Sequence, residues 1–318
     1  EAQAAISGTF TVVVQSYYAN GNGPYLLHLA KSTGEFVVSP GDDGGDLING
    51  AANLGELSKG DLDMWRFNAT VGEAFSTRIG SPTCRPWLRL YGPPGVLLRE
   101  NFGAGSSDND ALVSATATNT GTFTLVAQSY YYSLSSPYTL NLAKMPGAYV
   151  LSPGDEGGPL TNGLANLATN SLGDLDVWTF TANAGDNLAL RVGAPDYRPW
   201  IQLYEPNGVL FRDAPGSASS HHDAAIFVQA TNSGVFTVVQ QSYYFDGTGP
   251  YTLSFGRFPG SYLVLPGDEG GRLTNGVSYD ATIALGDLDL WNFAACKGYP
   301  FTVTCEKLGG TFTPRVRL

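Results

Sequence analysis

Apolar and polar residues alternate over short runs along most of the chain, the pattern of strands with one buried face. Positions 62–69 alternate, with Trp65 and Phe67 on one face. Val71-Gly72-Glu73 then turns into a run over 74–79. Positions 87–91 alternate up to Gly92-Pro93-Pro94-Gly95, a tight hairpin that returns as Glu205-Pro206-Asn207-Gly208. Further runs cover 96–99, 111–118, 122–129 and 138–142. That makes about seven or eight short strands at sandwich spacing, and no helical period appears.

The same pattern then starts again. Gly60-Asp61-Leu62-Asp63-Met64-Trp65 returns as Gly173-Asp174-Leu175-Asp176-Val177-Trp178 and as Gly286-Asp287-Leu288-Asp289-Leu290-Trp291, a period of 178 − 65 = 113 residues. Pro40-Gly41-Asp42-Asp43-Gly44-Gly45, Arg85-Pro86-Trp87 and Gln15-Ser16-Tyr17-Tyr18 recur in the same step. A period this long is a self-sufficient domain rather than a solenoid repeat. The reading is all-β: tandem jelly-roll-like β-sandwich modules, arranged as beads on a string. Glycine-rich stretches at 33–50, 145–163 and 258–276 read as connectors. Residues 36–148 and 149–261 are then whole modules, 1–35 the closing strands of a preceding module and 262–318 the opening strands of a following one. With both ends inside a module, the segment reads as a window on a longer chain rather than a self-completing subunit.

An apolar fraction of 43% over 318 residues supports a packed core in each module. The net charge of −11 repels nucleic acid and anionic lipid and attracts cations such as Ca²⁺. No apolar run is long enough to span a membrane. Cys84, Cys296 and Cys305 are too few and too oddly spaced for a disulfide scaffold or a metal knuckle. The stretch 291–305 reads as one hairpin turning near Lys297-Gly298. That register would hold Cys296 and Cys305 too far apart to bridge.

The module resembles the bacterial pre-peptidase C-terminal domain family. The resemblance rests on Asp174-Leu175-Asp176-Val177-Trp178-Thr179-Phe180, the turn Ala182-Asn183-Ala184-Gly185-Asp186, the Pro206-Asn207-Gly208 hairpin, and the closing segments at 234–238 and Pro250-Tyr251-Thr252-Leu253. It implies a jelly-roll-like sandwich, export from a bacterial cell, and a non-catalytic accessory role beside secreted peptidases. It also implies binding of Ca²⁺ or a polymeric substrate in some members. The stacked modules and the lack of a peptidase segment shift the expectation toward a fibre or adhesin.

Three residue sets remain as candidate chemistry. The Asp-x-Asp pairs Asp61 and Asp63, Asp174 and Asp176, Asp287 and Asp289 each place two carboxylates on one side of an extended strand, as a Ca²⁺ site requires. The connector acids Asp42, Asp43, Asp155, Glu156, Asp268 and Glu269 could add oxygens. The alternative is that each Asp caps loop N–H groups. Tyr17, Tyr18, Tyr130, Tyr131, Tyr243 and Tyr244, with Trp87 and Trp200, could bind sugar rings or protein chains. One ring of each Tyr pair is expected buried and the other exposed; the alternative for the set is core or inter-module packing. His28, His221 and His222 do not recur at equivalent positions, so no hydrolytic triad repeats and the chain is expected not to be an enzyme. His221-His222-Asp223 could ligate a metal only from a loop.

The expected function is a non-catalytic structural repeat segment of a long extracellular or cell-surface bacterial protein: a fibre, stalk or adhesin. Its partners would be neighbouring copies of the module or chain, and an extracellular polymer. The alternative is a set of accessory modules that bind polysaccharide or protein for a secreted enzyme. A repeated exposed aromatic platform would favour binding, and aromatics buried between modules a fibre.

Overall fold

A computed structural model describes residues 2–18, 20–32, 34–103, 109–131, 135–217, 222–244 and 247–318. Among them the secondary structure is strand and turn without helix, and no helix is long and apolar enough to cross a membrane. The fold is all-β, built of β-sandwiches.

Nine strands close the first sandwich: β1 (Gly44–Asp46), β2 (Asn53–Leu57), β3 (Asp63–Ala69), β4 (Ala74–Gly80), β5 (Pro86–Tyr91), β6 (Leu97–Asn101), β7 (Asp110–Thr116), β8 (Gly121–Ser129) and β9 (Ser136–Met145). One sheet has the order β1-β3-β8-β5-β6 and the other β2-β9-β4-β7. Apart from the β5–β6 hairpin, which stays within one sheet, successive strands pass from sheet to sheet, the interleaving of a jelly-roll-like sandwich. Nine more strands repeat the plan: β10 (Gly157–Pro159), β11 (Ala165–Asn170), β12 (Asp176–Ala182), β13 (Asn187–Gly193), β14 (Pro199–Tyr204), β15 (Leu210–Pro215), β16 (Asp223–Gln229), β17 (Gly234–Ser242) and β18 (Gly249–Phe258). Each core joins the inward residues of both sheets, with Phe67, Phe75 and Phe123 in mutual ring contact in the first.

The connectors are more ordered than their glycine content suggests. Each holds a three-residue strand, β1 or β10, running parallel to β3 or β12. Alternation is weak in so short a strand, which has room for one ladder and no buried face. The linkers are also tied down. Asn49 Nδ2 donates to the Lys144 and Ala148 carbonyls at 2.9 and 3.0 Å, and Asn49 Oδ1 accepts from the Lys144 N–H at 2.7 Å. Asn162 makes the same three bonds to Arg257 and Ser261.

Modules also bury surface against each other. Met145 and Ala143 of the first pack on Leu175, Val177, Tyr204 and Val239 of the second, with Tyr149 beside them. One period earlier, Leu62, Met64, Tyr91 and Val126 pack with Ala30 and Phe36. Met64 and Val177 lie on the outward face of their strands and are nevertheless buried, because the neighbouring module covers them. The modules are thus jointed, not beads on free linkers.

The described residues among 1–35, expected as closing strands, form none, and Phe10, Val12 and Tyr25 are exposed. Equivalent segments in the whole modules pair with β3, β4 and β5, whose counterparts for residues 1–35 are not among the residues of this sequence. The C-terminal segment has only β19 (Gly270–Arg272) paired with β20 (Leu290–Asn292). The 291–305 hairpin does not form, although the Lys297-Gly298 turn does, with the Tyr299 N–H on the Cys296 carbonyl at 3.1 Å. All three cysteines are free, Cys84 buried and the others exposed.

Candidate functional site

The first Asp of each pair sits in one shared turn. Asp61 accepts from the Leu62 N–H at 2.8 Å and the Ser58 N–H at 3.4 Å. Asp174 accepts from Leu175 at 2.9 Å and Ser171 at 3.1 Å. Asp287 accepts from Leu288 at 2.7 Å and Ala284 at 3.4 Å. These carboxylates satisfy loop N–H groups that have no ladder partner, which is the capping role. The connector acids do likewise: Asp43, Glu156 and Glu269 each accept an N–H thirteen residues on, from Glu56, Thr169 and Thr282.

In the two whole modules the second Asp begins the next strand and is buried. Asp176 is fully buried, and its Oδ2 accepts the Tyr251 hydroxyl at 2.7 Å. That hydroxyl in turn accepts from Trp178 Nε1 at 3.1 Å. Tyr251 stands on β18 and Asp176 and Trp178 on β12, so this chain bolts the two sheets together. Trp65 and Tyr138 repeat the bond at 3.0 Å in the first module.

Capping and bolting leave oxygens over. Asp176 Oδ1, both Asp63 carboxylate oxygens and Asp289 Oδ1 are buried without a hydrogen-bond partner. Burial raises all three carboxyls. Asp63 is pushed up to about 8 against an opposing Tyr138 hydroxyl, and Asp289 to about 7 with the Asp287 charge adding. Asp176 rises well above 3.8, again with its neighbour Asp174 adding. Asp174 is itself raised to about 7 by burial. A buried carboxylate with an idle oxygen is costly unless a proton or a cation sits on it.

The connector acids converge on these groups. Asp155, Glu156, Asp174 and Asp176 bring ligand atoms within 4.8 Å of one another, and so do Asp268, Asp287 and Asp289. In the first module the set is His28, Asp42 and Asp61, with His28 Nδ1 at 3.4 Å from Asp61 Oδ1, while Asp63 stands outside it. The donors of the second and third sets are all oxygen, and each set includes a carboxylate with an unpaired oxygen, Asp176 and Asp289, which fits a hard cation such as Ca²⁺. His28 was not legible as a partner, because a lone histidine without a counterpart one period on carries no signal. Asn141 stands one period on and donates to the Gly173 carbonyl at 2.8 Å instead of meeting a carboxylate.

The aromatic residues form a second repeated feature. Arg198 lies 3.9 Å over the Tyr243 ring, and Trp200 meets Tyr243 edge-on at 5.8 Å. In the first module Arg85 lies 4.6 Å over Tyr130, with Phe102 stacked beyond and Trp87 at 6.0 Å. Tyr131, Tyr243 and Tyr244 are exposed; Trp87, Trp200 and Tyr130 are half-buried. The expected alternation of buried and exposed within each Tyr pair does not hold. The pairs follow the last residues of β8 and β17, in a turn where strand alternation no longer applies. Tyr17 and Tyr18 are both exposed and, among the rings of the described residues, touch only each other.

The His221-His222-Asp223 stretch forms no metal set among the described residues; His221 lies outside them. Asp223 is held by Arg191 Nε at 3.1 and 2.9 Å, and His222 Nδ1 contacts the Tyr197 carbonyl at 3.0 Å.

No protein-family model matches the chain, and no curated protein does. Among solved structures, the pre-peptidase C-terminal domain of a collagenase from Bacillus anthracis is similar at 16% identity and a TM-score of 0.27, the match covering 94% of that domain and 31% of this chain. A putative secreted protein from Eubacterium rectale is similar at 10% identity and a TM-score of 0.21, over 65% of this chain and 74% of the other. An M60 catalytic domain with two CBM51 domains from Clostridium perfringens is similar at 8% identity and a TM-score of 0.20, over 64% of this chain and 34% of the other.

Proposed function

We propose that this chain is a non-catalytic structural repeat segment of a long secreted or cell-surface bacterial protein, a fibre, stalk or adhesin built of pre-peptidase C-terminal-like modules. The observation that supports this most is the repeated joint. Apolar residues on the outward face of β3 and β12 are kept dry by the neighbouring module, and the linker between modules is pinned by an Asn in each copy. A protein selected for extension needs such joints, whereas independent binding modules do not. In this reading Ca²⁺ sits at the Asp174–Asp176 cluster and its third-module equivalent, taking up the idle carboxylate oxygens. Electron microscopy of the native, full-length protein tests the structural role. Extended particles of uniform width are expected; compact particles would sink it.

A second reading is favoured by the Arg–Tyr–Trp platform, which is repeated and open to solvent. It would let the modules also hold an extracellular polysaccharide or protein polymer, with weak sites adding by avidity. Co-sedimentation with polymers, comparing the parent with Tyr243→Ala and Trp200→Ala, tests this. Equal retention by parent and variants would remove the platform from binding.

A further inference from the structure

The Gly-Asp-Leu-Asp-x-Trp turn has another face that the acid clusters do not use. In the joint between the two whole modules, Gly173 of that turn lies against Gly80 at the end of β4. A Cβ on Gly80 would fall 2.3 Å from the Gly173 nitrogen, and one on Gly173 2.4 Å from the Gly80 nitrogen. The Gly173 carbonyl accepts from Asn141, and its N–H donates to Asp110 Oδ2 at 3.3 Å. Behind them lies Arg78, 1% exposed. Its Nε donates to both Asp110 oxygens at 3.0 and 2.8 Å. Its outer edge is spent on the next module: Nη1 on Gln241 Oε1 and the Ser242 carbonyl, each at 3.0 Å, and Nη2 on the Tyr244 carbonyl at 3.3 Å.

The second joint uses the same parts. A Cβ on Gly193 would fall 2.3 Å from the Gly286 nitrogen. Arg191 holds Asp223 and donates through Nη1 to the Asp287 carbonyl at 2.7 Å. Arg78 and Arg191, Gly80 and Gly193, Asp110 and Asp223 are each one period apart. A buried guanidinium must have its donors matched, so it accepts only a partner that offers acceptors at those points. Two backbones in contact through glycines leave no room for a different approach angle.

We propose that Arg78, Gly80, Asp110 and Asn141, with Arg191, Gly193 and Asp223 in the next copy, form a docking socket for the glycine turn of a second copy of the same module. Each socket admits one orientation, so the array is a stiff rod with a repeated step. This deepens the structural reading above and rests on it for its biological meaning.

The test is pulsed EPR on the full 318-residue chain. Nitroxides are placed at Asn119→Cys and Asn232→Cys, equivalent exposed positions one period apart, with the exposed Cys296 and Cys305 changed to Ser. The parent should give one narrow distance peak. Gly80→Ala puts a methyl into the joint at a backbone geometry that alanine can adopt, and should widen the peak at least about twofold, toward the free motion usual for loosely joined domains. Gly193→Ala alters only the other joint and should leave this peak unchanged. If circular dichroism shows that Gly80→Ala fails to fold, Arg78→Gln with Asp110→Asn, which removes the charge pair and adds no bulk, should widen the peak instead. An unchanged width in a folded joint variant overturns the socket, and so does equal widening by Gly193→Ala. A flexible joint in a protein that still images as a fibre would sink the socket alone. A rigid joint in a compact native particle would sink the fibre reading alone.

Discussion

Asp63 offers a direct measure of what the buried carboxyls cost. It is fully buried with neither oxygen hydrogen-bonded, and its carboxyl is raised from 3.8 to about 8, burial being the largest cause. Between those values the folded chain binds more protons than the unfolded chain. Stability therefore falls as pH climbs from about 4 to about 8 and levels off above. At about 1.4 kcal/mol for each pKa unit, the ceiling is about 6 kcal/mol. For a module of roughly 100 residues, even half of that is worth about 10 °C in melting temperature. Asp63→Asn replaces the carboxyl by a neutral group of the same shape and should remove this share of the slope. The assay is differential scanning calorimetry in chelator from pH 4.5 to 8.5, comparing parent and variant. The difference between them isolates Asp63 from Asp174 and Asp176, which titrate in both proteins. The parent should lose stability across that range relative to the variant. Parallel pH profiles would refute the argument, as would a parent that gains on the variant with rising pH.

Arg78→Met leaves Asp110 buried against the joint without its ion pair and should cost about 3–5 kcal/mol in urea denaturation, with part returned by adding Asp110→Leu. Asn49→Ala removes the clamp on the linker after β9, so limited chymotrypsin digestion should cut after Tyr149 in the variant and spare the parent. Chelation should lower the melting temperature of the parent, since a cation that binds only the folded state stabilises it; Asp176→Asn should shrink that shift. Trp178→Phe loses the bond to the Tyr251 hydroxyl and should destabilise by about 1 kcal/mol beyond its change in volume, read from paired denaturation curves with Tyr251→Phe as the second arm of a cycle.

Alternation was enough to find β3 to β9 within a residue or two at most ends, because all of these strands but the largely exposed β6 bury a continuous face. The Gly92-Pro93-Pro94-Gly95 hairpin was equally legible, and it closes as expected with the Gly95 N–H on the Gly92 carbonyl at 2.8 Å. Local chemistry also pointed to the Asp-x-Asp turns, since a glycine followed by spaced carboxylates has few uses. What it left open was how the two acids divide. The first caps its own turn, a local act; the second joins a bolt to a tyrosine 75 residues away, as Asp176 does with Tyr251. That difference depends on which sheet each residue faces.

Sequence alone determined the all-β class and the 113-residue step, because these follow from local periodicity and from comparison of the chain with itself. Tertiary structure decided the rest. Met64 and Val177 fall on the outward face of their strands and are buried; Arg78, in the run over 74–79, is the most enclosed cation described. Asn49, inside the connector at 33–50, pins the next linker. Each owes its role to a neighbour one module or nearly one hundred residues away, and burial by such a neighbour leaves no periodic mark on the strand that receives it.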